Sequence, residues 1–193
     1  MATPRCEHCD GPMPLLSRPS LARFCSGRCR TAAHRARRRL PTEMTRRDRW
    51  VRRTPRKVPI TCDGKAASST DPATWCSYRD AVRSRAGVGL GFVLAGDGIA
   101  CVDLDHCLIE GRVAPWAQAI LDRFPATYVE VSPSGDGLHV FGLAEVGRGR
   151  RLRVDGGQVE VYDRGRYMTV TRERFGGCPA VLADISEAVA SLL

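Results

Sequence analysis

The chain has 193 residues, room for one ordinary domain of about 100–150 residues and a small accessory module. At 43% hydrophobic and 26% charged it falls among globular sequences, and no run approaches the roughly 18 apolar residues that a membrane span needs. Its net charge of +9 is unevenly placed: residues 1–60 carry 16 basic and 4 acidic residues, whereas residues 61–193 carry 14 and 17. A front whose 16 positive residues include 15 Arg suits a polyanion such as nucleic acid, because the planar guanidinium matches phosphate; a solvated arm is the plainer alternative. The N-terminal stretch MATPRCEHCDGPMP lacks the apolar core of a signal peptide, which predicts a protein that stays in a reducing cytoplasm.

Nine cysteines, an odd number, argue against a closed disulfide framework, and four fall within the first 29 residues. Cys6, Cys9, Cys25 and Cys29 follow the spacing C-x2-C-x15-C-x3-C, which brings two knuckles of two thiolates each onto one tetrahedral zinc. With Gly11, Pro12 and Pro14 among them and few apolar residues, this region cannot fold by burial alone, so the metal is its expected staple. The segment RTAAHRARRRL after Cys29 predicts a basic helix ending at Pro41. Residues 23–39, RFCSGRCRTAAHRARRR, resemble small treble-clef-like zinc fingers, which implies a module that meets nucleic acid or joins proteins.

Residues 41–60, with three Pro, predict a basic linker leading into a first strand, between a zinc module at 1–40 and a main domain at 61–193. Asp71-Pro72 predicts a helix start, with Trp75, Tyr78 and Val82 at helical spacing and Gly87 as the stop. Gly91–Ala95 and Ile99–Asp105 predict two strands of a hairpin around Gly96-Asp97-Gly98. Within the second strand Cys101, Asp103 and Asp105 share one face and Val102 and Leu104 the other. Two carboxylates held together repel, so the pair points to a metal site or an acid/base dyad rather than to stability.

Trp116, Ile120 and Phe124 predict a helix over 113–124, followed by a strand at 128–132. In SPSGDGLHVFG, the Ser134, Gly135 and Gly137 turn can bring backbone amides to an anion. His139 opens the next strand, either as a donor to phosphate or as a satisfied core histidine. Arg148, Arg150, Arg151 and Arg153 predict a basic loop able to follow a template strand. Gln158, Glu160 and Tyr162 share one face of a strand backed by Val159 and Val161, and an acid so placed needs a cation partner. A turn at 163–165, a strand at 167–171 and a capping helix at 181–193 complete the prediction.

Asp103-x-Asp105, then Ser134-Gly-x-Gly-x-His139, then Glu160 on a hydrophobic strand resemble, in that order, the three motifs of the archaeo-eukaryotic primase superfamily, the prim-pol group. KVPI, DGKAASSTDPATW, GLGFVL, CVDLDHCL, EVSPSGDGLHVFG and VEVYDRGRYMTVT look like its phage and mobile-element members, over about residues 50–180. The resemblance implies an α/β (α+β) fold with an RRM-like antiparallel sheet and flanking helices. It implies a DNA primase/polymerase in which Asp103, Asp105 and Glu160 clamp Mg2+ or Mn2+. Ser134, Gly135, Gly137 and His139, with Arg166 and Lys65 or Lys57, would hold the incoming (d)NTP. Oxygen ligands suit such hard cations independently of the resemblance.

The implied partners are a single-stranded DNA template with its primer, in the cytoplasm or at the nucleoid of a bacterial host. Larger relatives carry a C-terminal helical domain and often a helicase, and this chain stops after one short helix. Either the zinc module anchors the template, or a separate helicase or helical primase partner does, or primers are extended and not started. Two other readings are a non-catalytic zinc-dependent nucleic-acid-binding protein with an inactive primase core, and a nuclease using the same carboxylates.

Overall fold

The structure, a computed structural model, describes residues 4–14, 22–154 and 156–193. The chain divides into two compact units, Met1–Arg39 and Leu40–Leu193. Among the described residues no helix is long and apolar enough to cross a membrane.

In the first unit a turn over residues 6–10 is closed by hydrogen bonds from Cys6 N to Gly11 O and from Asp10 N to Cys6 O, both 2.9 Å. Helix α1, Gly27–Arg37, starts three residues earlier than expected because the Ser26 side chain caps it, accepting from Cys29 N at 3.1 Å. Cys29 therefore lies within the helix instead of before it. Ala33 is the one buried residue of α1, so apolar packing contributes little to holding this helix.

In the second unit the stretch 41–60 is built into the domain and does not run free as a linker. Helix α2, Thr42–Thr45, and strand β1, Trp50–Arg53, bury Met44 and Trp50 completely, and β2, Pro59–Ile60, pairs with β1. Strands β3, Gly89–Ala95, and β4, Ile99–Asp105, do not form the expected hairpin. Both are buried on both faces over most of their length, as interior strands are, and they belong to different sheets. The crossing falls at Gly96, whose φ of +75° is open to glycine at little cost.

A small hairpin of β5, Leu108–Ile109, and β6, Arg112–Val113, leads to helix α4, Pro115–Leu121. Then come β7, Tyr128–Val131; β8, Leu138–Leu143; β9, Arg150–Val154; β10, Gly157–Tyr162; and β11, Arg164–Val170. One sheet has the order β11-β3-β1-β2 and the other β7-β8-β4-β10-β9, with every pairing antiparallel. The architecture is thus mixed α/β with antiparallel sheets and short helices, its strands divided between two larger sheets and the β5–β6 hairpin.

Two clusters fill the space on either side of the five-stranded sheet. Trp50, Phe92 and Leu94 from one sheet meet Ile99, Cys101, Tyr128 and Phe141 from the other. On the opposite face Ala100, Val102, Leu104, Val140, Val159 and Val161 pack with Ala117 and Ile120 of α4 and Val189 of α5, Ser186–Ala190. The odd-numbered residues of β4 thereby face the four-stranded sheet.

Three further elements differ from the sequence reading. The helix expected from Pro72 is a 3-10 turn, Pro72–Thr74, capped by Asp71; α3, Tyr78–Arg83, starts separately at the Ser77 cap. Between them Cys76 is drawn out straight because it exchanges backbone hydrogen bonds with Trp50 at 2.9 and 3.0 Å. The basic loop at 148–153 contains the edge strand β9, paired with β10. The last helix is shortened to α5 because residues before it pair with the end of β8, Ile185 N donating to Leu143 O at 2.9 Å. Cys62 and Cys76 are bonded to each other, and the other seven cysteines are free.

Candidate active site and candidate metal centre

Period-2 alternation puts Asp103 and Asp105 on one face of β4, and the register decides what they meet there. Asp103 is opposite His139 of β8 on one side and Glu160 of β10 on the other. His139 in turn is opposite Glu130 of β7, and Glu160 is opposite Arg151 of β9. One residue from each of the five strands forms a single row: Glu130, His139, Asp103, Glu160, Arg151. Cross-strand neighbours of this kind have Cβ atoms about 4.5–5.5 Å apart, so the five side chains interact directly.

Within the row His139 Nδ1 lies 3.3 Å from Glu130 Oε1, His139 Nε2 lies 3.7 Å from Asp103 Oδ1, and Arg151 Nε lies 2.6 Å from Glu160 Oε1 in an ion pair. The next row holds Asp105 opposite Gln158, whose Nε2 donates to Asp105 Oδ2 at 3.1 Å and to Glu160 Oε1 at 3.0 Å. The Tyr162 hydroxyl donates to Glu160 Oε2 at 2.9 Å and accepts from Arg166 Nη2 at 3.0 Å, with the guanidinium 4.5 Å above the ring.

A cleft of about 200 Å³ opens over these groups, lined by Asp103, His139, Glu160 and Tyr162 of one sheet, Arg166 and Tyr167 to Thr169 of the other, and Lys57. Four residues singled out from the sequence, Asp103, His139, Glu160 and Arg166, therefore share one cleft, and Asp105 joins them through Gln158. Lys65 does not: it is exposed on the 61–65 turn and paired with Asp63 at 2.8 Å, while Lys57 takes the cleft position.

The Ser134 turn also differs in detail. The amides expected to approach an anion are used internally, Gly135 N donating to Ser132 O at 3.0 Å and Gly137 N to Ser132 Oγ at 3.2 Å. Glycine is required at 137 because a Cβ there would stand 2.9 Å from both Leu104 O and Ser132 Oγ. The turn thus fits tightly against the end of β4 and sets where His139 begins.

Burial pushes the Asp103 carboxyl up to about 6, and the neighbouring Asp105 and Glu160 charges push the same way against His139 and Lys57. For His139 burial works downward, but the Glu130 hydrogen bond and the Asp103 and Glu130 charges outweigh it and hold the imidazole above its usual value. Cys101 faces the same way as the acids, yet burial holds its thiol well above the usual range and leaves it inert.

Asp103 Oδ1 is buried without a hydrogen-bond partner, an unmet need that a cation would satisfy. Asp103, Asp105 and Glu160 offer oxygen only, the donor set of Mg2+ or Mn2+.

Glu130 had no signal of its own in the sequence. It is fully buried, accepting from the Tyr128 hydroxyl at 2.9 Å, Thr171 N at 3.1 Å, Arg172 N at 2.9 Å and His139 Nδ1. Alternation along β7 would have put Tyr128 and Glu130 on one face; burial of that face is a tertiary outcome.

In the first unit the sulfurs of Cys6, Cys9, Cys25 and Cys29 all lie within 4.8 Å of one another. Among the described residues theirs is the group of ligand atoms drawn that closely together. The Cys9–Cys25 and Cys25–Cys29 sulfurs are 3.6 and 3.4 Å apart, close to the spacing of about 3.8 Å set by bonds of about 2.3 Å to a tetrahedral zinc. Arg23 grips Glu7 with two hydrogen bonds of 2.6 and 2.7 Å and so joins the two knuckles.

The second unit therefore carries an acid and histidine cleft on an antiparallel sheet, an oxygen-rich site of the kind that binds a hard divalent cation. No family model matches the chain. Over 139 residues it is 42% identical to a protein of Nitratiruptor phage NrS-1 named DNA Primase-polymerase. The match covers 66% of this chain and 19% of that protein, so the chain corresponds to about a fifth of its relative's length.

Proposed function

We propose that the chain is a DNA primase-polymerase of phage type, a nucleotidyltransferase that joins a (d)NTP to a primer 3′ hydroxyl on a single-stranded DNA template. The observation that carries this reading is the row His139, Asp103, Glu160 in one cleft with an unpartnered Asp103 oxygen, in a chain 42% identical to a DNA primase-polymerase.

In this reading Asp103, Asp105 and Glu160 hold Mg2+ or Mn2+, which when bound activates the 3′ hydroxyl and neutralises charge on the leaving pyrophosphate. His139 Nε2, Arg166 and Lys57, all lining the cleft, present positive or donor groups to the triphosphate. Ser134, Gly135 and Gly137 act by seating His139, and Lys65 falls away from the nucleotide site. The Cys quartet holds a structural zinc, and α1 offers exposed Arg28, Arg30, Arg35 and Arg37 to the DNA backbone. Residues 1–40 are then the zinc module, and the catalytic domain includes 41–60. A separate helicase or helical primase partner belongs to the same reading.

The test is synthesis by the purified chain on single-stranded DNA with dNTPs or NTPs and Mg2+ or Mn2+, with and without an annealed primer, beside Asp103→Ala/Asp105→Ala. Product without primer supports a primase, and product only with primer supports a polymerase that is started by another protein. DNA that is bound but never extended would overturn the reading in favour of a binding module, and DNA that is shortened would favour a nuclease.

A further inference from the structure

We infer that Glu130 is a positioning residue acting through His139: it holds a proton on Nδ1 and so turns Nε2 into the cleft, where an Nε2–H of the doubly protonated ring meets a nucleotide phosphate. The ligand's identity rests on the nucleotidyl-transfer reading; the geometry does not.

A wholly buried carboxylate is tolerated only when its lone pairs are filled, and Glu130 fills them with four donors. Two are backbone N–H groups just past β11, of Thr171 and Arg172, and a third is the hydroxyl of Tyr128, itself fully buried. These three pin both oxygens, so the carboxylate cannot turn to follow the histidine. A carboxylate that accepts two amide protons in this way is an acceptor only, and the nitrogen facing it must carry the hydrogen. Nδ1, at 3.3 Å, is that nitrogen.

The opposite ring atom is then fixed as well: Nε2 points away from Glu130, toward Asp103 and the cleft. Phe141 stands edge-on to the ring at 87°, with centroids 6.2 Å apart. The same carboxylate ties the end of β11 to β7, and β11 carries Arg166 and the opposite cleft wall. A purely structural strap would need only the two backbone donors. Alignment of a carboxylate oxygen on a buried histidine adds what such a strap does not require, a defined tautomer.

Two measurements test this. Long-range 15N–1H correlation on the full chain reports the state of each of its four histidines, with His139→Ala supplying the assignment. A proton on Nδ1 of His139 is expected, joined by one on Nε2 once the triphosphate is bound, and a neutral Nε2–H ring would overturn the inference. The second is a double-mutant cycle read by affinity for a non-hydrolysable deoxynucleoside triphosphate. Glu130→Gln is expected to weaken binding about tenfold in the natural chain. In the His139→Ala background the same change is expected to cost less than about twofold. Equal losses in both backgrounds would make Glu130 a strap and overturn the inference. Should Glu130→Gln not fold, the NMR result on the unmodified chain decides. An unmodified chain that binds no nucleotide yet shows the Nδ1–H ring would overturn the nucleotidyl-transfer reading and support the positioning by Glu130.

Discussion

Asp103 and Glu160 are direct cross-strand partners on β4 and β10, two carboxylates facing each other across an antiparallel ladder. Like charges so placed destabilise a sheet, and Asp103 adds a buried oxygen that no donor satisfies. A cation bound between the two carboxylates would relieve both. Asp103→Ala is therefore expected to leave the fold intact, since it removes an unmet polar group, and to abolish synthesis. A loss on the order of a thousandfold corresponds to several kcal/mol of charge stabilisation. Rate measurement beside a thermal melt checks both halves.

Arg151 pairs with Glu160 at 2.6 Å, with its own side chain 60% exposed, and would compete there with a bound cation. An exposed guanidinium of this kind is only weakly held, so its removal is expected to tighten Mn2+ binding by up to about fivefold. Arg153, opposite Gln158 one row along, is the control for a general change in charge. Free Mn2+ measured by electron paramagnetic resonance should show tighter binding in Arg151→Ala and less change in Arg153→Ala. Equal effects would mean that Arg151 contributes only its charge.

Cys25 touches both Cys9 and Cys29 through sulfur, which makes it the thiol whose loss most disrupts the quartet. Cys25→Ser is expected to release zinc, lower the helical signal of α1, and weaken single-stranded DNA binding more than nucleotide binding. Zinc content, circular dichroism and the two affinities check this, and unchanged DNA affinity with zinc retained would contradict it.

Asp163 is fully buried at the junction of β10 and β11, accepting from Val146 N at 3.0 Å, Gly147 N at 3.4 Å and Arg164 Nη2 at 3.0 Å. Burial pushes its carboxyl up, but Arg164 and the two amides outweigh this and hold it below the usual carboxylate value. A folded pKa below the unfolded one, about 3.9, stabilises the chain above that pH and loses the contribution as pH falls through the folded value. Asp163→Asn is expected to cost about 1–3 kcal/mol in urea unfolding at neutral pH. The gap from the natural chain should narrow below about pH 4.

Much of this was legible in local pattern. Alternation along 99–105 and 157–162 assigned a face to Asp103, Asp105 and Glu160, and Cys6, Cys9, Cys25 and Cys29 announced their convergence by spacing alone. Both signals are short-range: side-chain direction in a strand has a period of two, and a metal knuckle needs only a few residues of chain.

What the tertiary structure decided is long-range. Periodicity describes a strand's faces but not its partners, so β3 and β4 read as a hairpin although they belong to different sheets. Register placed Arg151 on Glu160 and Glu130 behind His139, and the close fit of Gly137 under Leu104 turned an expected anion loop into a seat for the histidine. A lone acid in Tyr128-Val-Glu-Val carries no mark of its importance until β8 supplies the register and the residues just past β11 supply the backbone donors that make it a fixed acceptor.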